Sequence, residues 1–161
     1  MANQVEIRDI LADLRDVATG GYALAFHVRF STPTFLFQTY PKKWLDYYSQ
    51  NGLVLSDPTV AWGFQNLGAV QWAALKNDDP KGVLAKASEF GLNFGMTCAV
   101  EVDGSRSIGS FARPDRDFDD AEQAFLVQKI DELHDLTANI KALAPETNKA
   151  LRLMSVQFTH T

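Results

Sequence analysis

The chain has 161 residues, 46% of them hydrophobic and 22% charged, which is enough for one domain with a sizeable core and excludes a disordered segment, since that would need few apolar residues and a high net charge. The formal net charge of −5 supplies no basic field to neutralise phosphates, so nucleic-acid binding by this stretch alone is excluded as an expectation. Cys98 is the only cysteine, which excludes an intrachain disulfide and a thiolate metal cluster and fits a reducing compartment. Glu6, Arg8, Asp9 and Asp13 interrupt residues 1–14, against a signal peptide or membrane span, and a soluble cytoplasmic protein is expected.

Val5, Ile7, Ile10, Leu11 and Leu14 recur at helical spacing between charged residues, predicting an amphipathic helix over residues 4–18 that ends at Gly20 and Gly21. Residues 22–30 and 34–39 are rich in aromatic and β-branched side chains and flank the turn signal Ser31-Thr32-Pro33, which predicts two antiparallel strands. From Pro41 the period becomes helical, with Trp44, Leu45 and Tyr48 on one face and Gly52 closing the element. Ser56-Asp57-Pro58 opens another helix, running to about Asn66 before Gly68. Asn77-Asp78-Asp79-Pro80 caps a helix over residues 80–90.

Residues 94–102 and 105–112 are apolar-biased and joined by Asp103-Gly104, a strong hairpin signal. Phe118, Ala121, Phe125, Leu126, Ile130, Leu133, Leu136, Ile140 and Leu143 then form a stripe opened by Asp115, Asp117, Asp119 and Asp120, which predicts an amphipathic helix of about 25 residues. Strands and helices in this order predict the α+β class: an α/β/α sandwich with a central antiparallel sheet flanked by helices on both faces.

Tyr40-Pro41, Trp44, Tyr48, Asp57-Pro58-Thr59 and Trp72 stand in a spacing that resembles the autoinducer-binding domain of LuxR-type quorum-sensing regulators. Residues 91–97, Gly-Leu-Asn-Phe-Gly-Met-Thr, resemble that family's glycine-flanked turn into its central strand, so the resemblance covers about residues 5–142. It implies a buried pocket for an N-acyl-homoserine lactone, no catalysis and no cofactor. Tyr40, Trp44, Asp57 and Trp72 would line the lactone head group and its amide, with Tyr48, Thr59 and Thr97 beside them. The sequence departs from many relatives at Ala99, where they have proline, and at Ala112, where several carry a Ser or Thr against the acyl carbonyl region. That second departure removes a polar contact and favours a bulky, unsubstituted or aryl chain over a 3-oxo one.

The chemistry of those residue types suits such a ligand, whose amide N–H, amide carbonyl and lactone carbonyl all lose water when engulfed. A carboxylate only accepts, so Asp57 suits the amide N–H; an indole only donates, so Trp44 suits the lactone carbonyl; the Tyr40 hydroxyl suits the amide carbonyl. Taken singly, Trp44, Tyr48 and Trp72 read as core, Asp57 as a helix cap, Thr59 and Thr97 as structural, and Gly95 as a backbone requirement. Only the joint pattern points to a ligand.

His27, His134 and His160 are scattered without metal spacing, and the chain has no Gly-rich phosphate loop and no nucleophile elbow. Neither an enzyme nor a metal site is expected. The rival from another class is a GAF- or PAS-like sensor for another ligand, or a dimerisation module, neither of which needs the Tyr40, Trp44, Asp57, Trp72 set. Two regions are expected: a sensor domain over residues 1–142, and over residues 143–161 a linker with a sequence similar to the opening of a helix-turn-helix domain, which is too short to place a second helix in a major groove. The partners expected are the small-molecule autoinducer, a second copy of the chain, and DNA only through a complete helix-turn-helix domain, with no membrane.

Overall fold

The computed structural model describes residues 3–30 and 32–138. Ser31, the expected linker and helix-turn-helix opening, and the end of the last helical stripe at Ile140 and Leu143 lie outside them. In chain order come α1 (Asn3–Val17), β1 (Gly21–Val28), β2 (Phe35–Gln38), α2 (Lys42–Gln50), a 3₁₀ segment (Leu53–Ser56), α3 (Pro58–Gln65), β3 (Gly68–Gln71), a second 3₁₀ segment (Trp72–Asp78), α4 (Val83–Ser88), β4 (Phe94–Val102), β5 (Ser105–Arg113) and α5 (Asp120–Leu136). The strands make one antiparallel sheet in the order β2-β1-β5-β4-β3.

The two-residue period of a strand sends alternate side chains to opposite faces, and here each face has its own apolar cluster. Tyr22, Leu24 and Phe26 of β1, Phe35 and Phe37 of β2, Met96 and Cys98 of β4 and Phe111 of β5 face Ile7, Leu11 and Leu14 of α1 and Leu126, Ile130 and Leu133 of α5. Burying each such side chain contributes about 1.5–3 kcal/mol, so this face supplies most of the core. Within it the Cys98 thiol is pushed up to about 12 by burial, far from a reactive thiolate. On the other face Tyr40, Trp44, Trp72, Leu75, Val83, Leu84 and Leu92 form the second cluster. Helices therefore cover both faces, as the α/β/α expectation requires.

Local signals set the boundaries. Asp103 and Gly104 take φ values of 53° and 78°, the paired positive angles of a type I′ hairpin turn. Asp119 caps α5 by accepting from the Glu122 N–H at 2.8 Å while the Glu122 carboxylate accepts from the Asp119 N–H at 2.9 Å, a reciprocal capping box. The Arg116 guanidinium beside Glu122 holds that carboxyl down to about 2.

Three expectations need correction, and one element was not anticipated. Helix α4 starts at Val83 rather than Pro80, because Asp79 reaches across the Pro80-Lys81-Gly82 turn to accept from the Val83 and Leu84 N–H groups at 2.7 and 2.8 Å. Helix α5 stops at Leu136, where Thr137 turns its hydroxyl back to the Leu133 carbonyl at 2.7 Å. Val5, placed on the buried stripe of α1, is exposed, as is Ala121 of α5. Strand β3, pairing with β4 from Gly68↔Ala99 to Gln71↔Met96, has no counterpart in the sequence reading. No helix among the described residues is long and apolar enough to cross a membrane.

Candidate functional site

Between the second sheet face and α2, the first 3₁₀ segment and α3 lies a cavity of about 650 Å³, well within the size range of small-molecule sites. Its walls are apolar except at one end, where Tyr40, Trp44, Tyr48, Asp57, Thr59 and Trp72 all line it. Helix α2 brings in Trp44 and, one turn later, Tyr48, whose rings meet edge-on at 5.6 Å. Phe90 closes on Trp44 from the other side at 5.4 Å.

Asp57 is the hub. Its Oδ1 caps α3 by accepting from the Thr59 N–H at 2.8 Å and accepts again from the Thr59 hydroxyl at 2.7 Å, while Oδ2 accepts from the Tyr48 hydroxyl at 2.7 Å. A carboxylate offers roughly four acceptor positions; three are filled, and Oδ2 keeps capacity for one more donor. Burial, and then the neighbouring Asp57 charge and hydrogen bond, push the Tyr48 phenol well above its usual range, so it stays protonated and donating.

Tyr40 is in the opposite condition. Its hydroxyl is buried and has no hydrogen-bond partner among the described residues, and burial together with the Asp57 charge raises its pKa far above the phenol range. A buried hydroxyl without a partner costs about 1–3 kcal/mol.

Trp72 and Thr97 belong to a relay rather than to an open contact. The Trp72 indole N–H donates to Thr97 Oγ1 at 3.0 Å, and Thr97 Oγ1 lies 2.7 Å from Ser110 Oγ. Thr97 is fully buried and does not line the cavity; between the Thr97 and Ser110 hydroxyls either can be the donor. Ser110 does line the cavity. The relay thus ends in a hydroxyl facing the site, which can donate or accept. Gly95 makes it possible: a Cβ there would stand 2.2 Å from the Trp72 ring, so only glycine lets the indole lie flat on β4.

Ser110 was missed by sequence reasoning, which weighed Ala112 instead. Ala112 is packed in the second cluster and is not part of the cavity wall; Ser110 lies two residues earlier on the same face of β5, so strand alternation carried the signal. Ser110 puts a hydroxyl on the cavity side of β5, two residues before the position where a polar group was counted as missing. Ala99 sits buried opposite Gly68 of β3. Among the described residues, no three His, Cys, Asp or Glu side chains are grouped to hold a metal ion.

Escherichia coli SdiA, in a structure with octanoyl-rac-glycerol, superposes with a TM-score of 0.61 at 18% identity over 86% of this chain and 63% of that one. CepR2 of Burkholderia cenocepacia, an N-acylhomoserine-lactone-dependent LuxR family transcription factor, superposes with a TM-score of 0.54 at 17% identity over 83% of this chain and 94% of that one. At such identities the likeness is one of fold. The transcriptional activator SolR of Ralstonia nicotianae is 33% identical over 61 residues, 38% of this chain and 26% of SolR, so the match spans about a quarter of that relative's length. The model of the autoinducer-binding domain matches residues 9–135, and with the fold and the aromatic-carboxylate site this places the chain in the autoinducer-binding domain family of LuxR-type regulators.

Proposed function

We propose that the cavity binds an N-acyl-homoserine lactone and holds it without chemical change, as the sensor of a quorum-sensing transcription regulator. The observation that carries the reading is the Tyr40 hydroxyl, buried without a partner beside an Asp57 carboxylate with one acceptor position left. The pair asks for one acceptor and one donor close together in an apolar cavity, which is what a secondary amide offers. In this reading the amide N–H donates to Asp57, the amide carbonyl accepts from Tyr40, and the lactone carbonyl accepts from the indole of Trp44. Tyr48 and Thr59 hold the carboxylate in place, Trp72 is a flat wall, and Thr97 acts through Trp72 and Ser110. The regulator as a whole is proposed to work in the cytoplasm as a homodimer and to reach DNA through a helix-turn-helix domain. GAF- or PAS-like sensing of an unrelated metabolite has no use for this donor and acceptor pair.

A second reading has one observation in its favour, the octanoyl-rac-glycerol in the SdiA structure. An acylglycerol ester lacks the amide N–H, so Asp57 would face a glycerol hydroxyl instead. Expression of the chain in medium containing lactones and a monoacylglycerol, followed by extraction and mass spectrometry, separates the two. Stoichiometric lactone supports the first reading, stoichiometric acylglycerol the second, and soluble protein carrying neither overturns both. Asp57→Asn preserves a good helix cap but removes the charge, and lactone affinity is expected to fall more than tenfold, the factor that corresponds to about 1.4 kcal/mol.

A further inference from the structure

We propose that Arg106 is a positioning residue of the binding site: it clamps the C-terminal end of α3 down on β5, and the ligand enters and leaves the cavity beneath that helix when the clamp opens. This rests on the lactone reading above and adds the route into the site and the residue that controls it.

Exposure marks the mouth of the cavity. Most lining residues are buried or half-buried, but Val54, Leu55, Ala61 and Phe64 line the cavity and are exposed. All four fall within residues 54–64, the first 3₁₀ segment and α3 itself. The opposite wall is closed. Ala23 and Ala25 of β1 and Ile108 and Ser110 of β5 line it from strands that are paired on both sides, where any opening would break ladder hydrogen bonds.

Helix α3 is lightly anchored. It has eight residues, of which Pro58, Thr59 and Gly63 are buried, and Asp57 caps its N-terminal end. A helix this short has little stability of its own, so its C-terminal half stays down through what it touches. Trp62 packs against the second cluster, and Gly63 lies so close to Ile108 that a Cβ would stand 2.7 Å from that side chain. Arg106, two residues before Ile108 on the same face of β5, donates through Nη1 to the Gly63 and Asn66 carbonyls at 2.7 and 2.8 Å. Carbonyls at a helix C-terminus find no partner within the helix, and a cation there also meets the negative end of its dipole. Glu101 accepts from Arg106 Nε at 3.2 Å and aims the guanidinium. Arg106 itself does not line the cavity, so it acts on the ligand through α3. Weakening a clamp that closes the site with or without ligand speeds entry and exit together, whereas losing a contact to the ligand speeds exit alone.

The test expresses the 161-residue chain and Arg106→Gln with equimolar butanoyl-, octanoyl- and dodecanoyl-homoserine lactone, purifies the loaded proteins, and follows by mass spectrometry the replacement of the bound lactone by an excess of its deuterated form. That replacement reads the exit rate and needs no ligand-free protein. Arg106→Gln gives up two charge-assisted bonds and is expected to exchange at least tenfold faster. Parent and variant, differently tagged and mixed with limiting deuterated lactone, then partition it according to affinity, and the affinities are expected to differ less than threefold because both rates rise. Parent-rate exchange, or an affinity loss as large as the gain in exit rate, overturns the clamp and leaves the lactone reading standing; recovery of no lactone from the parent overturns the lactone reading and this one with it. Should Arg106→Gln fail to fold, Arg106→Lys decides: it keeps the charge and the stem but not the planar fork, and exchange at least threefold faster is expected, while exchange at the parent rate overturns the proposal.

Discussion

Tyr40 and Asp57 line the same cavity with complementary deficits, and each makes a different demand on the folded chain. The Asp57 carboxylate already holds three hydrogen bonds and starts α3, so much of its cost of burial is met by the protein itself. The Tyr40 hydroxyl has no such compensation. Tyr40→Phe removes the unpartnered group while keeping the ring, and deleting a buried polar group that makes no bond is neutral or stabilising. The ligand-free variant is therefore expected to melt at the same temperature as the parent or higher, while its lactone affinity falls about fivefold for the loss of one neutral hydrogen bond of about 1 kcal/mol. Thermal melts with and without lactone measure both signs, and a variant that loses stability and affinity in parallel would show that Tyr40 is held by contacts within the protein instead.

Strand β4 and the 3₁₀ segment at Trp72 act as a unit because Gly95 leaves no atoms between them. A methyl group at Gly95 would fall 2.2 Å from the middle of a rigid indole, so in Gly95→Ala the ring must move and the Trp72-Thr97-Ser110 relay must break. Overpacking of this kind costs about 1–3 kcal/mol, read as a lower denaturant midpoint and, since the Ser110 hydroxyl is no longer held by the relay, as weaker binding of lactone. Retention of full affinity in Gly95→Ala would remove the relay from the site. The elements themselves were readable where two signals coincided. The Asp103-Gly104 turn sat between apolar segments, and Asp57 stood before proline at the start of a helical period. Strand β3 was not readable, because Gly68–Gln71 spans four residues on a sheet edge, too few for alternation to show, and its pairing with β4 is a long-range fact. Helix α4 was read too long because Asp79 caps it from four residues away, across a turn that a local window takes for the helix itself. In the site, six of the seven anticipated residues line one cavity; Ser110 escaped because a serine in a strand looks neutral until its face is known.

The sheet divides the molecule into a ligand face and a face with its own buried polar group, and the second should respond to pH independently of the first. His27 sits at the β1 bulge with φ at 52°, and its ring lies 4.3 Å from that of His134 on α5. His27 Nε2 is 3.0 Å from the His134 carbonyl, which only accepts, so Nε2 carries the proton and Nδ1 accepts from the Ser105 hydroxyl at 2.6 Å. Ser107 accepts from the His27 backbone N–H at 3.0 Å, and its Oγ is hydrogen-bonded with His134 Nδ1 at 2.7 Å. The network suits two neutral imidazoles and ties the end of α5 to β1 and β5. Burial lowers the pKa of both rings below the usual 6.5; for His27 the neighbouring His134 adds to the effect, while Asp131 and Asp135 oppose it at His134. A lowered pKa in the folded state means that below about 6.5 the unfolded chain binds protons that the folded chain refuses. The stability these rings contribute is thus complete above the unfolded value and is lost as pH falls from there through the folded values. The denaturant midpoint is expected to be lower at about pH 5.5 than at about pH 7.5, and His134→Gln should shrink that difference. Because the pair lies across the sheet from the cavity, the same difference should persist with lactone bound, distant sites being nearly additive. A midpoint that does not move between the two pH values would mean that the rings are protonated as readily in the fold as in water, and the latch would then have no pH dependence.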